Sequence, residues 1–189
     1  GLSYTSSLNP DKQQSVTSSD NHSTTFNHAP AEEQMHNVAL NYTSGFGLTG
    51  GIDYTYFRNK EEQSFRSIEN NGQETTFLSN TAQYINRWKV YVDQNHTLSN
   101  AWVLNYGTSF TYVNNHNSQR YNLAAMSGMN KESRVDEYTY NLYTGFEKNF
   151  GSQWSLNASA SIEYYQMMSY KKWAIYPTLN LSYVLSPSH

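Results

Sequence analysis

Residues 154–165 read WSLNASASIEYY. Trp154, Leu156, Ala158, Ala160, Ile162 and Tyr164 fall on one parity, and Ser155, Asn157, Ser159, Ser161 and Glu163 on the other. Successive side chains of a β-strand point to opposite faces, so this period of two predicts one strand with an apolar and a polar face. What the apolar face touches, a protein core or lipid, decides the architecture.

The same period recurs along the chain. In residues 34–43, Val38, Leu40 and Tyr42 oppose Asn37, Ala39, Asn41 and Thr43. In 46–57, Phe46, Leu48, Ile52, Tyr54 and Tyr56 oppose Thr49, Asp53 and Thr55; in 84–94, Trp88, Val90 and Val92 oppose Arg87, Lys89, Tyr91 and Asp93. Trp102, Leu104, Tyr106, Phe110 and Tyr112 oppose Asn105, Gly107, Ser109 and Thr111. Tyr138, Tyr140, Leu142 and Phe146 oppose Thr139, Asn141, Tyr143 and Gly145. Trp173, Ile175, Leu179, Leu181, Tyr183 and Leu185 oppose Tyr176, Thr178, Asn180 and Ser182. With a strand end at GLSYTS, this predicts an all-β, antiparallel up-and-down meander of about eight long strands. No segment carries a helical period.

Composition narrows what surrounds those strands. Of 189 residues, 15% are aromatic, including 17 Tyr, while only 14% are charged, against roughly 25% in soluble domains. The polar share is therefore mostly uncharged Asn, Ser, Thr and Gln. A net charge of -3 gives no electrostatic footprint for nucleic acid. There is no cysteine, hence no disulfide or thiolate chemistry. No run of about 18 apolar residues predicts a membrane-crossing helix.

The connections alternate in length. Short links (SGFG, NHTLSN, KNFGSQ) are expected between paired strands, and long polar loops over 9–34, 58–80 and 114–133. That asymmetry, with strands of roughly 10 residues, is the pattern of transmembrane β-barrels. Phe46 and Tyr56, Trp102 and Tyr112, Trp154 and Tyr164, and Trp173 and Tyr183 are each ten residues apart. Ten steps of ~3.3 Å span about 33 Å, which projects to about 25 Å at a ~40° tilt, the height of a barrel's apolar band between aromatic girdles. The apolar faces of most strands carry no charge.

The hairpins ALNYTSGFGLTGGIDYTY and YNLYTGFEKNFGSQWSLNASASIEYY, with the closing YPTLNLSYVLSPSH, resemble the barrel of TonB-dependent outer-membrane receptors, in particular the outer-membrane β-barrel family of Bacteroidetes-type bacteria. The similarity runs from about Gln34 onward and is one of pattern. It implies a location in the bacterial outer membrane and a receptor that imports a bulky nutrient. It also implies a plug domain and further barrel strands, neither expected within this chain, which reads as one β-barrel segment over 1–189. Within it, 1–33 are expected as a strand end plus a long polar loop, and 34–189 as successive hairpins. The expected partners are lipid on the apolar faces, a nutrient at the long loops and, through unpaired edges, a second copy of the segment. The alternative is a secreted or periplasmic β-sandwich binding glycans or protein, which would hold Trp88, Trp102, Trp154 and Trp173 in a dry core.

Candidate chemistry is sparse, and no catalytic, cofactor-binding or metal residues are assigned. His22, His28, His36, His96, His116 and His189 show no ligand spacing and read as scattered surface histidines. Glu61–Glu62 and the acidic run Glu132 to Glu137 read as solvated loops, and no nucleophile-elbow motif surrounds a serine. An enzyme is not expected. Sequons at Asn21, Asn41, Asn95, Asn157 and Asn180 read as chance in an Asn-rich chain. Phe65, Phe77 and Tyr121 are expected in loops, where they either meet a surface ligand or are simply solvated, and Asn71-Gly72 reads as a turn.

Overall fold

The computed structural model describes residues 1–19, 23–98, 102–151 and 153–184; of 9–19, 23–30 and 124–125 it describes the backbone alone. Eight antiparallel strands follow one another in chain order in a single sheet: β1 (Leu2–Ser19), β2 (Ser23–Thr43), β3 (Leu48–Glu69), β4 (Glu74–Thr97), β5 (Trp102–Tyr121), β6 (Lys131–Phe150), β7 (Trp154–Met167) and β8 (Tyr170–Tyr183). Each strand pairs with its chain neighbour, without crossover. Among the described residues no rung joins β8 to β1. The predicted meander is therefore observed. The sandwich alternative needs a second sheet over the tryptophans, and the described residues form only one.

Two expectations change. The stretches 9–19, 23–34, 58–69 and 74–80, expected as loops, are strand. β1 and β2 run on to residues 19 and 23, and β3 and β4 meet only at the tight Asn71–Gly72 turn, where Gly72 takes a φ of +81°. Similarly, most of 114–133 belongs to β5 and β6, leaving a single 3-10 turn over Ala124–Met129. The physical reason is pairing. Once the amphipathic halves fix register, each further rung satisfies backbone groups at little extra chain entropy. Ser, Thr and Gln with water on both faces show no dyad contrast to reveal this. The β1–β2 register slips between Asn9 and Lys12, where Pro10 has no amide donor. Phe46 also departs from expectation: it sits in the turn before β3, so its ten-residue spacing to Tyr56 is not a strand spacing. Leu185 lies outside the described residues.

No hydrophobic residue among those described is buried. The accessible surface is 13205 Å², whereas a compact monomer of 21.7 kDa exposes about 9,200 Å². The sheet thus has two uncovered faces and no core of its own. No described helix is long and apolar enough to cross a membrane.

Candidate functional site: two aromatic belts and a polar face

The register sorts side chains into two continuous faces. Even positions of β2–β7, and of β1 as far as Leu8, share one face with odd positions of β8. Its central rung runs Gly50, Val92, Thr108, Leu142, Ile162 and Ile175 across six strands. Leu142 is 60% exposed and Ile175 68%.

Aromatic rings border this band on both sides. Toward the long hairpins, ring contacts link Tyr4–His36 (6.3 Å), His36–Tyr56 (6.1 Å), Tyr54–Trp88 (4.4 Å), Tyr112–Tyr138 (5.2 Å), Phe110–Tyr140 (4.7 Å), Tyr140–Tyr164 (6.1 Å) and Tyr164–Trp173 (4.8 Å). Every strand contributes. Toward the short turns, Trp102 meets Phe146 at 5.5 Å and Trp154 meets Tyr183 at 4.6 Å. Register brings the two ten-residue spacings of β7 and β8 into coincidence: Trp154 pairs Tyr183 while Tyr164 pairs Trp173. Lys148 stands at the band's edge with its Nζ 4.5 Å from the Trp102 ring, an apolar stem ending in a cation over an aromatic face. Between the belts this face carries no charged side chain. Tyr and Trp suit such borders because an apolar ring carries one group that seeks water.

The opposite face is polar and internally tied. Asp53 and Lys89 face each other across β3 and β4. Tyr143 on β6 lays its ring across Gly107 on β5 and donates to Asp93 Oδ1 on β4 at 2.5 Å. Tyr91 on β4 likewise crosses Gly51 on β3 and donates to Asn41 Oδ1 on β2 at 2.5 Å. A Cβ on Gly51 would lie 2.7 Å from the Tyr91 hydroxyl, and one on Gly107 2.8 Å from that of Tyr143. Each glycine therefore clears the path for a tyrosine that clamps three strands. An isolated glycine inside a strand signals such a close approach, but the sequence does not name the tyrosine.

The singled-out residues disperse. His36 joins the upper belt, where Tyr4 Oη and His36 Nδ1 lie 2.9 Å apart, and His116 sits 3.0 Å from Glu132 Oε1. His96 lies near the end of β4. His22, His189 and Asn21 lie outside the described residues, as does the His28 side chain. Among the described residues no group of three His, Asp or Glu is placed to hold a metal. The acidic run is strand, not loop: Glu137 accepts from Tyr165 Oη, and Asp136 accepts from Tyr112 Oη and Asn114 Nδ2, both at 2.7 Å. Those two donors, with Arg134 nearby, hold the Asp136 carboxyl below its ordinary range. Asp136 lies one rung outward of Tyr112 and Tyr138, at the outer margin of the upper belt. At the β3–β4 tip, Glu74 is similarly lowered by its hydrogen bond from Arg66. Glu61 and Glu62 are strand residues of opposite parity, so they point to opposite faces. Phe65 and Phe77 stack on each other at 4.9 Å, and Tyr121 ends β5. Asn41, Asn157 and Asn180 all lie on the polar face.

No family model and no curated protein matches the chain. Among solved structures, the crystal structure of the beta domain of the Bordetella autotransporter BrkA is similar, with a TM-score of 0.47 and 9% identity, over 97% of this chain and 84% of that one.

Proposed function

We propose that this chain is part of the wall of a bacterial outer-membrane β-barrel, with the even-numbered face against lipid and the odd-numbered face toward a wet lumen. One observation carries this reading: an uncovered, charge-free apolar band bordered on both sides by aromatic rings. In water such a band would be a large aggregation-prone patch. In a bilayer it is the surface that lipid requires, while strand pairing satisfies the backbone groups of β2 to β7 within the hydrocarbon. The outer edges of β1 and β8 then need partners, from further strands or from another copy.

At a finer level, the wall belongs to a TonB-dependent receptor that imports a bulky nutrient, with a plug inside the completed barrel. The pattern of the hairpins around Tyr42–Tyr54 and Phe146–Tyr164 supports that finer reading. The protein's work is then physical: strands exclude lipid, the lumen offers hydrogen bonds, and the long hairpins meet ligand. No catalytic step is proposed.

The test is tryptophan quenching after refolding in detergent carrying a nitroxide in its tail. Trp88 and Trp154 are each 45% exposed and Trp173 is 68% exposed, all on the apolar face. Strong quenching with β-rich circular dichroism is expected. A cooperative fold in plain buffer, with the tryptophans shielded from the label, would overturn the reading.

A further inference from the structure

From the outer rung of the upper belt, which holds His36 and Tyr56, the even-numbered face continues outward but changes chemistry. Successive rungs read His36, Tyr56, Asn86, Asn114 and Asp136, then Gln34, Arg58, Tyr84, His116 and Arg134, then Glu32, Lys60, Ala82, Ser118 and Glu132. Over the last two of these, and the Glu62–Asn80–Arg120 rung beyond, lies an open cleft of about 700 Å³. That is within the ~300–1,000 Å³ usual for ligand sites.

Its floor is made by the small side chains of Ala82 and Ser118. On the belt side the floor ends in the Tyr84–His116 ring pair, stacked at 5.9 Å and 24°. Lys60 and Arg120 flank it, with no ion pair among the described residues.

We infer that this cleft binds the sugar headgroup of an outer-leaflet glycolipid; the inference rests on the face assignment proposed above. Two features of the lining suit a saccharide. Donors (Lys60, Asn80, Arg120) alternate with acceptors (Glu62, Ser118, Glu132), matching hydroxyls that both donate and accept. The Tyr84–His116 pair supplies ring carbons against which the C–H groups of a pyranose can pack. On this face Lys60 and Arg120 stand among Glu32, Glu62 and Glu132, and Glu32 pairs at 3.5 Å with Arg58 of the adjoining rung. Position selects the source. From Tyr138 to Glu132 is six residues, ~20 Å of strand and about 15 Å of height at a ~40° tilt. The cleft therefore opens outward, at headgroup-sugar level and off the route through the lumen.

The experiment titrates the full refolded chain in micelles with two probes: rough-type lipopolysaccharide, and the deacylated core oligosaccharide released from it. Both are expected to bind, and to keep binding in about 0.5 M salt, where charges more than a few ångströms apart are screened. Ala82→Trp fills the cleft without altering any charge, and Tyr84→Ala removes half of the stack. Each is expected to weaken both probes by about tenfold or more, an energetic loss of ~1.4 kcal/mol. Should Ala82→Trp lose its β-sheet signal, Tyr84→Ala decides. The inference is overturned if the oligosaccharide fails to bind, if salt abolishes binding, or if the variants bind like the parent. Tail-nitroxide quenching on the same samples separates the two readings. Quenched tryptophans without sugar binding sink this inference alone, whereas unquenched tryptophans sink the barrel assignment beneath it.

Discussion

Replacing Leu142 by arginine tests the lipid assignment where it is most exposed to refutation. Leu142 is on the apolar face of β6, four residues from Tyr138 in one belt and four from Phe146 in the other. Four steps are ~13 Å of strand, or about 10 Å of height at a ~40° tilt, so the residue sits near the mid-height of the band. At 60% exposure it is buried against nothing in the protein. If that face met water, Leu142→Arg would change stability by no more than about 0.5 kcal/mol, as surface substitutions do. Against lipid, an arginine at the midplane costs ~2–4 kcal/mol and near an interface ~0–1 kcal/mol. A cost of 2–4 kcal/mol is roughly thirtyfold to several-hundredfold in the folding equilibrium. The assay is urea unfolding of the chain in phospholipid vesicles, followed by tryptophan emission. Two controls run alongside: Leu181→Arg, two residues from Tyr183 at the lower belt, and Asn141→Arg, next to Leu142 but on the inner face. The expected order is a large cost for Leu142→Arg and small costs for the other two. Equal costs for Leu142→Arg and Asn141→Arg would refute the face assignment. Equal costs for Leu142→Arg and Leu181→Arg would refute the depth argument.

Other consequences are as specific. Gly107→Ala would press its Cβ against both ends of the Tyr143–Asp93 hydrogen bond, the Asp93 carboxylate and the Tyr143 hydroxyl; with the hydrogen bond to a charged group lost, destabilisation of ~1.5–3 kcal/mol is expected, lowered by hydration of the polar face. Tyr143→Phe removes the same bond without the clash, so a double-mutant cycle should be strongly non-additive, and additive costs would show that glycine and tyrosine act independently. The Asp136 carboxyl should titrate below the ordinary aspartate range by carbon NMR, and Tyr112→Phe, which removes its leading donor, should raise it. Because the folded-state value is depressed, Asp136 stabilises the fold above its unfolded pKa, and that contribution disappears as pH falls through the folded one. An unchanged titration in Tyr112→Phe would contradict the hydrogen-bond account. Lys148→Gln removes the cation over Trp102 and should cost about 0.5–1 kcal/mol in the same urea assay, with no cost if the ammonium is simply solvated.

Much of this was legible from the chain alone. Alternation is a local property: Trp154 to Tyr164 and Trp173 to Tyr183 declare two-faced strands of a certain length whatever lies beside them, because the strand repeat is two residues. The charge-free parity and the turns at Asn71–Gly72 and around Gly47 and Gly151, all three with glycines of positive φ, likewise needed no tertiary knowledge. What only the tertiary structure decided is non-local. Strand continues through 58–69 and 74–80 because a neighbour already in register pairs each further rung, and polar residues wet on both faces carry no period to announce it. The sequence could mark Gly107 as an odd residue in a strand but not find Tyr143 and Asp93, each on a different neighbouring strand. The cleft over Ala82 draws on β2 through β6, whose residues are scattered from Glu32 to Glu132. Faces follow from the covalent geometry of one strand; neighbours follow from register between strands, and register is fixed only when the whole sheet forms.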